Sequence, residues 1–256
     1  KGHQKIILKC KELSKKNKLN SVVVSFDPHP RKFFNKKCKP FELTSNETKI
    51  VEINKLGVDY LVFLKFNRFL SKLKPIEFIE KILIKNLKAK IIVVGYNFHF
   101  GYQRKGNVNL LKKYSKKYNY DLIIVKPIIA KNGLKYNSSR IRQKLSFGKL
   151  TKVKEMLGRD WQIIGKIIKG KRRGKEIGYP TANIKLNHYI VPLKGVYLTE
   201  TYLEGNKKKY LGIANIGNRP TFGEKKVIFE NHFFDNRRII YGKKIYVSCQ
   251  RPMYSF

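Results

Sequence analysis

The stretch IIVVG, residues Ile91–Gly95, is a short and continuous apolar run that ends on a glycine. Such a run predicts a parallel strand covered on both faces, because a strand with one face in water alternates polar and apolar residues. Three other runs share this character, namely Ser21–Phe26, Tyr60–Leu64 and Leu122–Val125. Helix-like stretches separate the four runs. The alternation predicts a right-handed, doubly wound α/β fold over about the first 155 residues.

Three segments between and after these runs have helical patterns. Ile76–Leu83 follows Pro75, a residue well suited to the first turn of a helix. Asn107–Lys117 has a similar pattern, and Ser138–Gly158 predicts one or two helices. Ligands of doubly wound sheets bind at the carboxyl ends of the strands, so we expect a site where these runs end.

The pattern changes after Gly158. Short strand-like runs follow, with Gly, Asn and Pro between them, and this predicts an antiparallel barrel or sandwich. The runs are Ile163–Ile168, Gly195–Tyr202, Tyr210–Ile216, Lys226–Phe233 and Lys244–Ser248. We therefore predict two domains, residues 1–158 and 159–256, with the boundary near Gly158–Asp160.

The chain is strongly basic, with 57 Lys and Arg against 17 Asp and Glu, which gives a net charge of +40 over 256 residues. Such a charge suggests binding to nucleic acid. However, the lysines are spread along the chain, and Asn, Ile, Tyr and Phe are abundant while only four alanines occur. AT-rich codons would produce this skew. We favour that origin over a specific polyanion surface and keep a nucleic-acid-binding protein as a remote alternative.

Other features of the composition point to the cytoplasm. The three cysteines, Cys10, Cys38 and Cys249, lie far apart and form no metal-binding or disulfide pattern. No apolar run is long enough to span a membrane, and the N-terminus has no secretion signal. We expect no membrane partner. The sequence leaves the oligomeric state open.

A glycine-rich basic loop and two later motifs suggest phosphate chemistry in the second domain. The loop contains Gly170, Lys171, Gly174 and Gly178, and it predicts a phosphate site because glycine lets backbone N–H groups approach the anion. Thr181 and Asn183 follow on an extended segment, where residues two apart share a face. Their oxygens suit Mg²⁺.

Glu230 lies in a strand-like run, where its carboxylate is a candidate base for a hydroxyl nucleophile. Taken singly, a basic glycine loop is more often a solvated turn, a Thr-x-Asn pair is more often turn chemistry, and a strand Glu is usually only an outward-facing residue.

Taken together and in order, these motifs resemble the riboflavin kinase family. The resemblance rests on four segments, namely Gly174–Asn183 (GKEIGYPTAN), Pro192–Tyr197 (PLKGVY), Asn215–Phe222 (NIGNRPTF) and Glu230–His232. It covers about Gly158 to Phe256 and implies a six-stranded barrel, with Thr181 and Asn183 at Mg-ATP. It also implies that Glu230 is the base that activates the terminal ribityl hydroxyl. A final helix of the family is expected to follow Phe256.

The first domain has its own set of polar motifs at strand ends and helix starts. His3 heads a helix-like stretch, Asp27 and His29 follow a strand, and Asn97 follows another. Arg104 comes shortly after. Each motif alone has a structural interpretation, as a loop histidine or core packing. The last motif opens a helix and combines hydroxyls with guanidinium groups, which makes an anion site; it consists of Ser138, Ser139, Arg140 and Arg142.

This set resembles the FAD synthetase half of the bifunctional bacterial riboflavin kinase/FAD synthetase family, a Rossmann-like nucleotidyltransferase domain. Asn97 stands where that family usually has Asp, and a first His is expected just before residue 1. The resemblance places His3, Ser138 and Arg142 around the ATP phosphates, with Ser139 and Arg140 beside them. Asp27, His29, Asn97 and Arg104 are implied at the nucleotide or the flavin.

The resemblance implies a bifunctional enzyme. Riboflavin would be phosphorylated to FMN, and FMN would be adenylylated to FAD, with ATP and Mg²⁺ serving both steps. The alternative within the same class is a riboflavin kinase whose adenylyltransferase half has degenerated, because Asn97 and the N-terminal motif depart from the family pattern.

Overall fold

A computed structural model of the chain describes residues 1–129, 133–168, 181–186, 188–218, 227–234 and 241–255. The chain forms two compact units. The first contains residues 1–38 and 52–136, and the second contains residues 39–51 and 137–256. Within the described residues, no helix is long and apolar enough to cross a membrane.

The four apolar runs of the first unit form parallel strands, as predicted. Strand β1 (Val22–Asp27) pairs with β2 (Tyr60–Lys65), and β3 (Ile91–Gly95) pairs with β6 (Asp121–Val125). Among the described residues, no hydrogen-bonded register joins the two pairs. One apolar core connects them instead, since Phe26 of β1 and Ile92 of β3 belong to the same cluster.

Helices surround these strands. The predicted helix over residues 76–83 is present, but only its first turn is α-helical, in α5 (Pro75–Glu77). It continues as a π-helix over Phe78–Asn86, which buries Phe78, Ile79 and Ile82. The remaining elements of the first unit are α1 (Gly2–Lys16), α2 (Pro30–Phe34), α4 (Arg68–Lys72), β4 (His99–Phe100), a 3₁₀ turn (Tyr102–Arg104), β5 (Gly106–Asn107) and α6 (Val108–Ser115). Helix α3 (Asn46–Asn54) spans the division of the chain between residues 51 and 52, so its first part belongs to the second unit and its last turn to the first.

The second unit is a six-stranded antiparallel sheet preceded by two helices, α7 (Ser138–Ser146) and α8 (Leu150–Leu157). The strands are β7 (Trp161–Lys166), β8 (Thr181–Lys185), β9 (Gly195–Leu203), β10 (Lys209–Asn218), β11 (Val227–Phe233) and β12 (Lys244–Ser255), in the order β7-β12-β9-β10-β11-β8. A bridge from Ile168 to Asn183 connects the two edges of the sheet, so the sheet curls toward a barrel, as predicted.

The segment 39–51 belongs to the second unit, although residues 52–136 of the chain separate it from the rest of that unit. The indole Nε1 of Trp161 donates to the carbonyl of Leu43 at 3.1 Å, and Trp161 is only 1% exposed. Glu42 exchanges backbone hydrogen bonds with residues 188 and 190. The sequence pattern predicted two contiguous domains that meet near residue 158. In the structure, each compact unit combines two separate stretches of the chain.

A polar bridge crosses the interior of the sheet. Buried Asn231 of β11 accepts from the hydroxyl of Thr199 at 2.8 Å and donates to that of Thr201 at 2.9 Å, both on β9. Strand β10 lies between them, and the small residues Ala214 and Gly212 are the register partners of Asn231 and Thr199. A Cβ atom on Gly212 would lie 2.1 Å from the carbonyl oxygen of His232, so β10 and β11 approach too closely for a side chain there.

An ion-paired cluster ties α1 to the starts of β1 and β2. Asp59 accepts from Lys11 at 2.7 Å and from the backbone N–H and hydroxyl of Ser21 at 2.8 and 2.6 Å. The hydrogen bond from Lys11, followed by those from Ser21, holds the pKa of Asp59 well below its usual range. A carboxyl with a lowered pKa stabilises the fold above its unfolded pKa, and this contribution is lost as the pH falls through the folded value.

We therefore expect Asp59→Asn to lower the melting temperature at about pH 7, and the difference from the wild type to shrink below about pH 4, where Asp in the unfolded chain becomes protonated. Thermal unfolding at several pH values checks this. Asp121→Asn, which removes an exposed carboxylate outside the cluster, is the control. A difference that stays constant from neutral to acidic pH would argue against a role for this ion pair.

Candidate functional site

Three neighbouring strands of the second unit bring the predicted kinase residues to one face. Glu230 of β11 pairs in register with Asn183 of β8 on one side and with Asn215 of β10 on the other. Thr181 pairs with His232, one step along the same face. The adjacent residues on these strands, such as Ala182 and Phe229, are fully buried and point into the sheet interior. Thr181, Asn183 and Glu230 therefore share the outer face. For Thr181 and Asn183, this is the arrangement that the two-residue repeat of a strand predicted.

Asn183 has an unusual environment on this face. Its side chain is only 4% exposed, and its Nδ2 donates to the carbonyl of Thr181 at 3.4 Å. Within the described part of the chain, its Oδ1 is buried and accepts no hydrogen bond. A buried polar atom without a partner costs about 1–3 kcal/mol. Among the described residues, this oxygen is therefore an acceptor without a donor.

The glycine-rich loop precedes this face in the chain. Its predicted phosphate-binding residues, Gly170, Lys171, Gly174 and Gly178, lie outside the residues that the structure describes.

In the first unit, α1 brings His3 to the strand ends. Ile6 of α1 packs against Gly95, where an added Cβ would lie 3.3 Å from the Ile6 Cδ1 atom. The same Cβ would lie 3.6 Å from Oδ1 of Asn97. Lys5 donates to the carbonyl of Lys126, just beyond β6, at 3.5 Å. The first turn of α1 and Asn97 therefore lie at the carboxyl ends of β3 and β6, where a nucleotide site was expected.

Asp27 and His29 lie at the carboxyl end of β1. Asp27 is the exposed last residue of the strand and pairs with Lys65 of β2. His29 caps α2, because its Nδ1 accepts from the backbone N–H of Arg31 at 3.1 Å. A neutral imidazole in this arrangement has its proton on Nε2. The His29 ring is thus held by local structure at the start of α2.

The loop after β3 contains Arg104, and a cation from the segment after β6 lies over an aromatic ring at the start of this loop. Gln103 and Arg104 both have left-handed backbone, with φ of 54° and 59°, which is uncommon for residues other than glycine. Lys135 places its ammonium 5.1 Å from the ring centre of Tyr96, which directly follows β3. Sequence reasoning missed Lys135, since a single lysine among 57 basic residues has no local signal.

Helix α7 begins with the residues of the anion site that was predicted in the first domain, and these residues lie in the second compact unit. Asn137 is its N-cap and accepts from the backbone N–H of Arg140 at 2.9 Å, so Ser138 and Ser139 fall in the first turn instead of capping it. Arg142 donates through Nε to the carbonyl of Phe41 at 2.7 Å, and its guanidinium lies 5.6 Å from the centre of that ring. The segment 39–51 thus fixes the orientation of Arg142.

Comparison with known proteins gives a consistent result for both parts of the chain. A family model described as FAD synthetase matches residues 1–140, and one described as riboflavin kinase matches residues 157–254.

Individual relatives agree with this. A bifunctional riboflavin kinase/FMN adenylyltransferase from Buchnera aphidicola (subsp. Schizaphis graminum) is 37% identical over 96% of this chain and 79% of its own length. The protein of the same name from Escherichia coli K12 is 33% identical over 98% of this chain and 80% of its own length. A crystal structure described as a macrolide-efflux protein from Streptococcus pneumoniae matches with a TM-score of 0.83 and 30% identity, over 100% of this chain and 83% of that one.

Proposed function

The chain belongs to the family of bifunctional riboflavin kinase/FMN adenylyltransferases, and on this basis we propose that it phosphorylates riboflavin to FMN and adenylylates FMN to FAD, with ATP as the donor in both steps. The observation that supports the kinase step best is the row of Asn183, Glu230 and Asn215 on one face of the second unit. Since both steps consume ATP, we assign the cytoplasm as its compartment.

In the kinase step, Glu230 is the catalytic base. Its carboxylate takes the proton from the terminal hydroxyl of the ribityl chain, and the hydroxyl oxygen attacks the γ-phosphorus of ATP. A P–O bond forms to the flavin, the bond to the β-phosphate oxygen breaks, and ADP leaves. We assign Gly170, Lys171, Gly174 and Gly178 to the ATP phosphates, because a glycine-rich basic loop provides N–H donors and positive charge.

Thr181 and Asn183 are our candidates for holding Mg²⁺. The buried Oδ1 of Asn183, which accepts no hydrogen bond from the described residues, supports this assignment because it is a hard oxygen ligand in need of a positive partner. When bound, the ion neutralises charge on the transferring phosphates. The protein's part is to orient these two oxygens on the face that also presents Glu230.

We expect Asn183→Leu to reduce FMN formation by at least about 100-fold, because the ion would lose a ligand worth several kcal/mol at the transition state. The melting temperature should change little, since the leucine removes one long hydrogen bond to Thr181 together with a buried oxygen that accepts no hydrogen bond from the described residues. Asn183→Asp retains an oxygen and should keep more activity than the leucine variant as Mg²⁺ is titrated. A leucine variant with wild-type turnover would remove Asn183 from the metal site.

In the adenylyl transfer step, a phosphate oxygen of FMN attacks the α-phosphorus of ATP. A P–O–P bond forms to the flavin, and pyrophosphate leaves. We assign His3, Ser138 and Arg142 to stabilising charge on the ATP phosphates, with Ser139 and Arg140 beside them. Arg104, Asp27, His29 and Asn97 are assigned to the nucleotide or the flavin.

We expect His3→Ala to lower FAD formation from FMN by at least about 100-fold, because a donor to the developing charge is lost. FMN formation from riboflavin should be unchanged, because His3 has no role in the proposed kinase step. Lys15→Ala, which removes an exposed cation at the far end of α1, is the control. Equal FAD formation by the wild type and His3→Ala would refute the assignment.

A further inference from the structure

Arg142 lies in the second turn of α7, and a residue about a hundred positions earlier in the chain holds its guanidinium. Nε donates to the carbonyl of Phe41 at 2.7 Å, and the central carbon of the guanidinium lies 5.6 Å from the centre of the Phe41 ring. A guanidinium is a rigid planar fork, so fixing Nε and the plane also fixes the directions of its other two nitrogens. Phe41 therefore sets the direction in which Arg142 points.

The segment that carries Phe41 is itself held by the part of the chain that matches riboflavin kinase. Glu42 exchanges backbone hydrogen bonds, both at 2.9 Å, with the stretch 188–193 that precedes β9. The next carbonyl, that of Leu43, accepts from the indole of Trp161 on β7. All of these residues belong to the second compact unit. The position of Phe41 thus depends on β7 and on the stretch before β9.

The same stretch also holds α7, which carries Arg142. The backbone N–H of Leu193 donates to the carbonyl of Leu145 in α7 at 3.0 Å. The hydroxyl of buried Tyr189 lies 3.4 Å from the hydroxyl of Thr48, which belongs to the segment that carries Phe41. Both sides of the Arg142 contact are therefore attached to one stretch of the chain.

We propose that the kinase part of the chain positions Arg142 for adenylyl transfer, with Phe41 as the direct positioning residue and Trp161 acting through Leu43. The inference rests on the proposed adenylyl transfer, in which Arg142 binds the ATP phosphates. FAD formation then depends on Trp161, although this residue lies in the part of the chain matched to riboflavin kinase and has no role in either chemical step of the proposed scheme.

The physical reason is the cost of ordering a long side chain. Arginine has many rotamers, and binding a phosphate selects one of them. A contact that selects this rotamer before ATP arrives removes the cost from the binding step. Loss of the contact should therefore weaken ATP binding in adenylyl transfer and leave the reaction itself possible.

The first test replaces the aromatic ring of Phe41. Phe41→Leu keeps a buried apolar side chain and removes the ring from the guanidinium, and KM for ATP is then measured in FAD formation and in FMN formation. Phe233→Leu is the control, because it is the same change at another buried phenylalanine of the second unit. Its ring packs against Tyr210, with 5.8 Å between the ring centres.

We expect Phe41→Leu to raise the KM for ATP in FAD formation about three- to tenfold, the effect of one lost cation–π contact. The KM for FMN and both kinase constants should stay at their wild-type values. Phe233→Leu should have the wild-type KM for ATP in FAD formation.

A double-mutant cycle with Arg142→Ala separates positioning from support of the fold. If Phe41 acts through Arg142, Phe41→Leu should have no further effect on the residual FAD formation of Arg142→Ala. A residue that only supports the fold would reduce FAD formation by the same factor in both backgrounds and would reduce FMN formation as well.

The second test concerns the attachment to β7. Trp161→Phe keeps an aromatic ring and removes the donor to Leu43, so the KM for ATP in FAD formation should rise about two- to threefold while FMN formation is unchanged. If Trp161→Phe does not fold, Tyr189→Phe takes its place with the same expected result, because it removes the hydroxyl beside Thr48.

Two results would overturn the inference while leaving the proposed function intact: a wild-type KM for ATP in Phe41→Leu, or an equal effect of that change with and without Arg142. A wild-type KM in the folded variant of the second test would overturn the dependence on the kinase part. Absence of FAD formation by the wild type, or wild-type FAD formation by Arg142→Ala, would instead overturn the proposed adenylyl transfer or the role of Arg142 in it.

Discussion

Replacing Glu230 with Gln is expected to reduce the conversion of riboflavin to FMN by at least about 100-fold, the usual contribution of a general base. The glutamine has the same shape and cannot accept the proton of the ribityl hydroxyl. Glu230 is partly exposed on the outer face, between Asn183 and Asn215, so the fold should tolerate the change. The measurement is a steady-state assay of FMN by chromatography, with circular dichroism to establish that the variant is folded.

The control for this variant is the other reaction. When FMN and ATP are supplied directly, Glu230→Gln should form FAD at the wild-type rate, because the adenylyl transfer step does not use the kinase face. Undiminished FMN formation by the variant would show that another group, or water, accepts the proton.

The largest effect on stability is expected for Gly212→Ala. The added methyl would lie 2.1 Å from the carbonyl oxygen of His232, so β10 and β11 must separate. Because the obstructing atom belongs to the backbone, no rotamer change relieves the contact. Asn231 also reaches β9 across this position, and both of its side-chain hydrogen bonds would be strained. We expect the free energy of unfolding to fall by about 3 kcal/mol, at the upper end for overpacking.

Urea denaturation measures this loss, and Gly217→Ala is a matched stability control. It lies on the same strand but on the outer face, where the nearest atom of the described residues to an added Cβ is 3.7 Å away. Its unfolding midpoint should stay within the error of the wild type. Equal midpoints for Gly212→Ala and the wild type would mean that β10 and β11 lie farther apart than the structure shows.

The sequence predicted most of the elements because their signals are local. The apolar runs at Ile91–Gly95 and Tyr60–Leu64 became parallel strands, and the short runs after Gly158 became the antiparallel sheet. The shared face of Thr181 and Asn183 followed from the alternation of a strand. These features depend only on neighbours within a few residues.

Features that depend on distant contacts were not predictable in this way. Nothing in the local pattern of residues 39–51 indicates that Leu43 accepts a hydrogen bond from Trp161, 118 residues away. The same holds for Phe41, which orients Arg142. The register that places Asn215 beside Glu230 is set by pairing between β10 and β11 and not by either strand alone. The π-helical turns after Glu77 depend on core packing around Phe78.

The departure from the family's usual motif at Asn97 does not change the assignment of the first domain to FAD synthetase. Asn97 stands where the family usually has an acidic residue. It lies at the carboxyl end of β3 next to α1, where a side chain that contacts the bound nucleotide is expected. A FAD synthetase model matches residues 1–140 around it. A kinase without adenylyltransferase activity would form FMN and no FAD, and an assay with FMN and ATP distinguishes it from the bifunctional enzyme.

The most direct test of the bifunctional assignment follows the phosphorus atoms of ATP. The protein is incubated with riboflavin, Mg²⁺ and ATP labelled in either the γ- or the α-phosphate, and the flavins are separated by chromatography. We predict that the γ label appears first in FMN and then in FAD, while the α label appears in FAD alone. An α label that never enters a flavin would contradict adenylyl transfer, and a γ label absent from FMN would contradict the kinase step and with it the central claim.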